Sequence, residues 1–114
     1  MSERRIAQVS ALLEQRLGEI LLREFEVPPG ILLTITKVQT SSDRDHAEVW
    51  VSVYPESQAA ETFEQLKKKR GLLQHLLHQE LIMEHPPEIH WHLDIGEIKA
   101  AEVEALIDSV SDVK

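Results

Sequence analysis

Apolar residues recur at three- and four-residue intervals in the first segment, at Ile6, Val9, Leu13, Leu17 and Ile20, with Leu12 and Leu21 widening the stripe. That period predicts an amphipathic helix, ended by Pro28-Pro29-Gly30. The period then falls to two. Ile31 to Thr40 is rich in β-branched residues, while Ala47 to Tyr54 sets Ala47, Val49, Val51 and Val53 on one face against Glu48, Trp50, Ser52 and Tyr54 on the other. These read as two strands joined by the polar loop Ser41-Ser42-Asp43-Arg44-Asp45-His46. In the first of them Val38 falls out of phase with Leu33 and Ile35, which predicts a bulge near Thr36 or Lys37.

A helical period returns after Pro55-Glu56-Ser57, with Ser57 placed to cap the helix before Ala60, Phe63 and Leu66. A second stripe, Leu72, Leu73, Leu76, Leu77 and Leu81, begins directly after Gly71 on a different face, so a bend or break is expected there. His85-Pro86-Pro87 stops this piece. Ile89, Trp91 and Leu93 then alternate with His90, His92 and Asp94 as a third strand. Ile95-Gly96 turns the chain into a last helix, with Val103, Leu106, Ile107 and Val110 inward. The order helix, strand, strand, kinked helix, strand, helix predicts an α+β layer with helices on one face of a three-stranded sheet. Trp50, Tyr54, His90 and His92 are then expected on the open face.

A chain of 114 residues suits one domain spanning 1–114. The absence of cysteine excludes disulfide scaffolds, thiol nucleophiles and cysteine-ligated metal. No run approaches the ~20 apolar residues of a membrane span, and Met1-Ser2-Glu3-Arg4-Arg5 is not followed by the apolar core of a signal peptide, so a soluble cytoplasmic protein with no membrane partner is expected. The net charge of -8 argues against strong non-specific attraction to nucleic acid. That charge is uneven, however: residues 86–114 hold seven of the 20 acidic side chains and two of the 12 basic ones.

The order of elements and several local strings resemble the ribosome-binding factor A family over roughly residues 4 to 110. The strings are Arg5-Ile6-Ala7-Gln8 running on to Ile20-Leu21-Leu22-Arg23-Glu24, Val38-Gln39-Thr40-Ser41-Ser42-Asp43 with Ala47-Glu48-Val49-Trp50-Val51-Ser52-Val53, and Pro87-Glu88-Ile89-His90-Trp91-His92-Leu93-Asp94. The resemblance implies a KH type II-like fold and a non-enzymatic factor that binds the small ribosomal subunit during late maturation and contacts its ribosomal RNA; a monomer is expected separately, since nothing in the sequence requires a partner for folding. It also implies an Ala-x-Gly kink between two helices, matched here by Lys69, Arg70 and Gly71, so the glycine is kept and the alanine is not. Gln74 stands where the family usually has arginine, Gln79, Ile82 and Glu84 stand at positions that are often basic, and Arg44 replaces a usual leucine.

Lys67-Lys68-Lys69-Arg70 holds four of the 12 basic residues just before Gly71, where free helix amides and a missing side chain would suit a phosphate. The same cations could equally complement the dipole of the preceding helix. Meeting four single-stranded phosphates would give a salt slope of about -3. Arg4, Arg5, Lys37 and Arg44 are candidates to extend the patch, and Trp50 and Tyr54 to stack on bases. His75 with His78 and His90 with His92 have chelating spacings, but the two pairs are expected on opposite sides of the sheet, so neither a metal nor a cofactor is expected. No nucleotide loop, nucleophile elbow or paired acid motif suggests catalysis. The competing class is a diverged protein-binding module that recognises basic ribosomal proteins through its acidic surface, including Glu97, Glu102, Glu104, Asp108 and Asp112.

Overall fold

The computed structural model describes residues 3–83 and 85–95. Helix α1 (Glu3–Glu24) leads to β1 (Leu32–Thr40) and β2 (His46–Tyr54), then α2 (Ala59–Lys68), α3 (Arg70–Glu80) and β3 (Glu88–Leu93). The acidic helix expected after Gly96 lies outside the described residues, as does Glu84.

The sheet has the order β1-β2-β3, with β1 antiparallel and β3 parallel to β2. Ala47, Val49, Val51 and Val53 are buried, as their alternation requires, and the helices lie on that face. Leu13, Leu17 and Ile20 of α1, Leu66 of α2 and Leu73 and Leu77 of α3 complete a continuous core. The register of β1 on β2 skips between Ile35 and Lys37. Thr36 is the extra residue, and its hydroxyl donates to Asp94 Oδ2 at 2.7 Å.

Three local expectations shift. Helix α1 stops at Glu24, ahead of Pro28, because Val27 is kept from helical geometry by the proline that follows it, while Phe25 turns into the core. Pro28-Pro29-Gly30 instead forms a turn closed by Ile31 N–H to the Pro28 carbonyl at 3.1 Å. Gly30 supplies the φ of 89° that its third position demands. Ser57 does not cap α2, since it falls inside a short 3-10 turn, Glu56–Gln58, and the cap position passes to Gln58. Leu12 and Leu72 face solvent, so the apolar stripes of α1 and α3 are narrower than expected.

Candidate functional site

Between α2 and α3 stands a single residue, Lys69, with φ -95° and ψ 4°. The break therefore precedes Gly71, which is already the second residue of α3. Helical geometry explains the placement. The expected change of face does not hold for the buried leucines: at 3.6 residues per turn a continuous helix would keep Leu66 and Leu73 on one side, with Lys69 and Arg70 flanking that side toward the core. Desolvating unpaired cations there would cost several kcal/mol. Interrupting the helix at Lys69 leaves Lys68, Lys69 and Arg70 exposed and Lys67 half-buried, while Leu66 and Leu73 stay buried.

Backbone bonding closes the elbow. Lys69 N–H donates to the Leu66 carbonyl at 3.0 Å, and the Lys69 carbonyl accepts from Leu73 N–H at 3.0 Å. No side chain caps α3, so its first amide groups carry the partial positive charge of an open helix start. Gly71 is exposed, and a Cβ there would meet no atom within 4 Å. The surface at the glycine is open, although the elbow does not depend on its conformational freedom.

Three of the four cations rest on neutral partners. Arg70 Nη1 donates to the Lys67 carbonyl at 2.9 Å. Lys69 Nζ reaches the Glu24 carbonyl at 3.4 Å and lies 5.7 Å from the Phe25 ring centre, while Lys67 Nζ lies 5.8 Å from that of Phe63. Among the described residues none of the four forms an ion pair with a carboxylate. Arg23 shows the alternative. It pairs with Glu80 and with Glu24, and its pKa is raised, chiefly by the Glu80 hydrogen bond and next by that of Glu24.

The other candidate cations do not join this patch. Ser10 meets Thr40 side chain to side chain at 2.7 Å, so the start of α1 lies at the hairpin-loop end of the sheet. Lys69, in contrast, touches the far end of α1, so Arg4 and Arg5 stand about 30 Å away along the helix. Arg44 belongs to the hairpin-loop end, where it adopts a φ of 65°. There Ser41 Oγ–H donates to Asp43 Oδ1 at 2.6 Å and Asp45 N–H donates to the same oxygen at 3.0 Å. These two bonds, the Ser41 hydroxyl first, hold the Asp43 carboxyl below its ordinary pKa. Lys37 sits on the open face of the sheet, with Nζ 5.0 Å from the Trp50 ring centre.

That open face is internally satisfied. Trp50 stacks on His92 at 4.8 Å, and His92 Nε2 lies 2.7 Å from Glu48 Oε1. Trp50 is thus engaged by neighbours, whereas Tyr54 is 71% exposed. His75 and His78 are exposed on α3, away from the sheet. The residue that the spacing argument missed is His46. It begins β2 rather than ending the loop, and its Nδ1 lies 3.0 Å from His90 Nε2 and 3.5 Å from Glu88 Oε2. Extending the β2 alternation back by one residue puts His46 on the face of Glu48 and Trp50, but the pairing with Glu88 depends on the parallel register.

Gln74 has a structural task. Its amide nitrogen donates to the Pro87 carbonyl at 2.9 Å and its oxygen accepts from Ile89 N–H at 2.8 Å, clamping the start of β3 to α3.

The family described as Ribosome-binding factor A matches residues 5–107. A protein of that description from Prochlorococcus marinus (strain MIT 9303) is 35% identical over 111 residues, covering 94% of this chain and 78% of the relative. A solution NMR structure from Thermotoga maritima aligns with a TM-score of 0.67 at 26% identity, covering 84% of this chain and 92% of that one. A homology model of Thermus thermophilus ribosome binding factor A, fitted into a cryo-EM map of a 30S complex with that factor, aligns with a TM-score of 0.60 at 23% identity, covering 75% of this chain and 90% of that one.

Proposed function

The chain belongs to the ribosome-binding factor A family, and from that premise we propose that it is a non-catalytic, cytoplasmic assembly factor that binds the small ribosomal subunit during late maturation. In this reading it acts as a monomeric KH type II-like domain and meets ribosomal RNA with the elbow from Lys67 to Gly71. The observation that carries the reading is the set of four adjacent cations without a carboxylate partner among the described residues, in a chain of net charge -8. Carbonyl and ring contacts orient Lys67, Lys69 and Arg70 without neutralising them, and the uncapped start of α3 adds amide hydrogens of the same sign. The Thermus thermophilus relative, placed in a 30S complex, supports the choice of particle.

Four phosphate contacts on a single strand correspond to a salt slope of about -3, so the elbow supplies modest affinity and depends on the shape of its target. Replacing Lys67, Lys68, Lys69 and Arg70 together with glutamine should abolish preferential co-sedimentation with immature small subunits over mature small and large subunits at matched salt. Undiminished recovery of the variant with immature particles would remove the elbow from the interface.

One observation favours the second reading, a protein-binding module for basic ribosomal proteins. Gln74, Gln79 and Ile82 leave the outer part of α3 and its exit without the cations usual in the family, and Gln74 is committed to β3. If reversing the charges at Glu97, Glu102, Glu104, Asp108 and Asp112 abolished subunit binding while the glutamine variant bound normally, this second reading would replace the first.

A further inference from the structure

We propose that His46, Glu88 and His90 form a binding site for a divalent transition-metal ion of borderline softness, such as zinc, on the open face of the sheet. The three side chains present two imidazole nitrogens and a carboxylate oxygen that all lie within 4.8 Å of one another. A tetrahedral zinc with Zn–N bonds of about 2.0–2.1 Å requires ligand atoms about 3.3–3.4 Å apart. The separations of 3.0 Å from His46 Nδ1 to His90 Nε2 and 3.5 Å from His46 Nδ1 to Glu88 Oε2 bracket that spacing. Small side-chain rotations would admit the ion.

The backbone beneath the ligands is tied down. His46 N–H donates to Ser41 Oγ at 3.1 Å, the His46 carbonyl accepts from Ser41 N–H at 2.8 Å, and Glu88 N–H donates to the Asp45 carbonyl at 2.9 Å. His46 and Glu88 are register partners on parallel strands, and His90 follows Glu88 by two residues on the same face. The site therefore rests on paired strands, where ligand positions are held more closely than on a loop. Glu48 is taken up by His92 and is left out of the ligand set. Two neutral imidazoles and one carboxylate suit zinc, nickel or copper over magnesium, and three protein ligands leave the remaining position to water. The half-exposed setting points to a reversible ion rather than one required for folding.

Calorimetric titration of the full chain with zinc chloride, in a buffer that does not chelate, tests this site. One ion per chain is expected. His46→Asn and His90→Asn should each weaken zinc binding about tenfold or more, Glu88→Gln should weaken it with the fold intact, and the double variant His75→Asn/His78→Asn should leave it unchanged. In NMR spectra the imidazole signals of His46 and His90 should move together as zinc is added, while magnesium leaves both in place. Absence of one-to-one binding would overturn the proposal. So would full affinity in the His46, Glu88 and His90 variants, or a comparable loss in the His75/His78 variant.

Discussion

The elbow between α2 and α3 and the open face of the sheet both crowd polar side chains into a small area, but they use them in opposite ways. On the sheet, alternation on adjacent strands sets His46, Glu48 and Trp50 beside Glu88, His90 and His92, so each side chain finds a partner one strand away. At the elbow the chain runs through four cations in succession, and a helix points successive side chains in different directions, so Lys67, Lys69 and Arg70 meet backbone carbonyls and ring faces instead. Side chains partner one another on the first surface, and backbone carbonyls and rings hold cations without carboxylates on the second. An acidic protein can in this way leave adjacent cations without carboxylate partners, provided the acids are drawn elsewhere, as Arg23 draws Glu80 and Glu24.

The contrast breaks most completely if the support of the elbow is removed. Leu66 is fully buried and its carbonyl receives the Lys69 N–H, so Leu66→Ala should cost about 2–5 kcal/mol of stability, read from urea unfolding, and loosen the elbow. Gln74→Arg acts on the neighbouring face of α3. It adds the cation usual in the family but strips a buried-side acceptor from Ile89 N–H, so unfolding should show a loss of about 1–3 kcal/mol. RNA affinity should nonetheless rise in salt titrations of the same variant.

Lys69→Gln should reduce the slope of log affinity against log salt by about 0.7, one single-strand phosphate, with little change in thermal midpoint. The smallest effect belongs to the hairpin loop. Because the folded pKa of Asp43 lies below its ordinary 3.8, its contribution to loop stability is complete above that value and is lost as pH falls through the lowered one. Asp43→Asn should remove this acid dependence, measured as hydrogen exchange at Asp45 and His46 across the same pH range, because an amide keeps the acceptor and loses the charge.

Periodicity alone determined most of the fold. The β2 alternation, the α1 stripe and the phase slip at Thr36 each follow from which residues must leave water, and that requirement is local to a strand or a helix. The same local logic marked Lys67 to Arg70 as unusual. What the tertiary structure decided concerns neighbours that no spacing reveals. The helix break moved to Lys69 because Leu66 and Leu73 share a core that excludes Lys69 and Arg70. Arg4, Arg5, Lys37 and Arg44 were dispersed by the length of α1 and by the two faces of the sheet. Gln74 became a clamp, and His46 met Glu88 and His90, through the parallel placement of β3 beside β2. Residues distant in sequence come together only when burial of the whole core fixes the register between strands, so their chemistry belongs to the fold and not to any one segment.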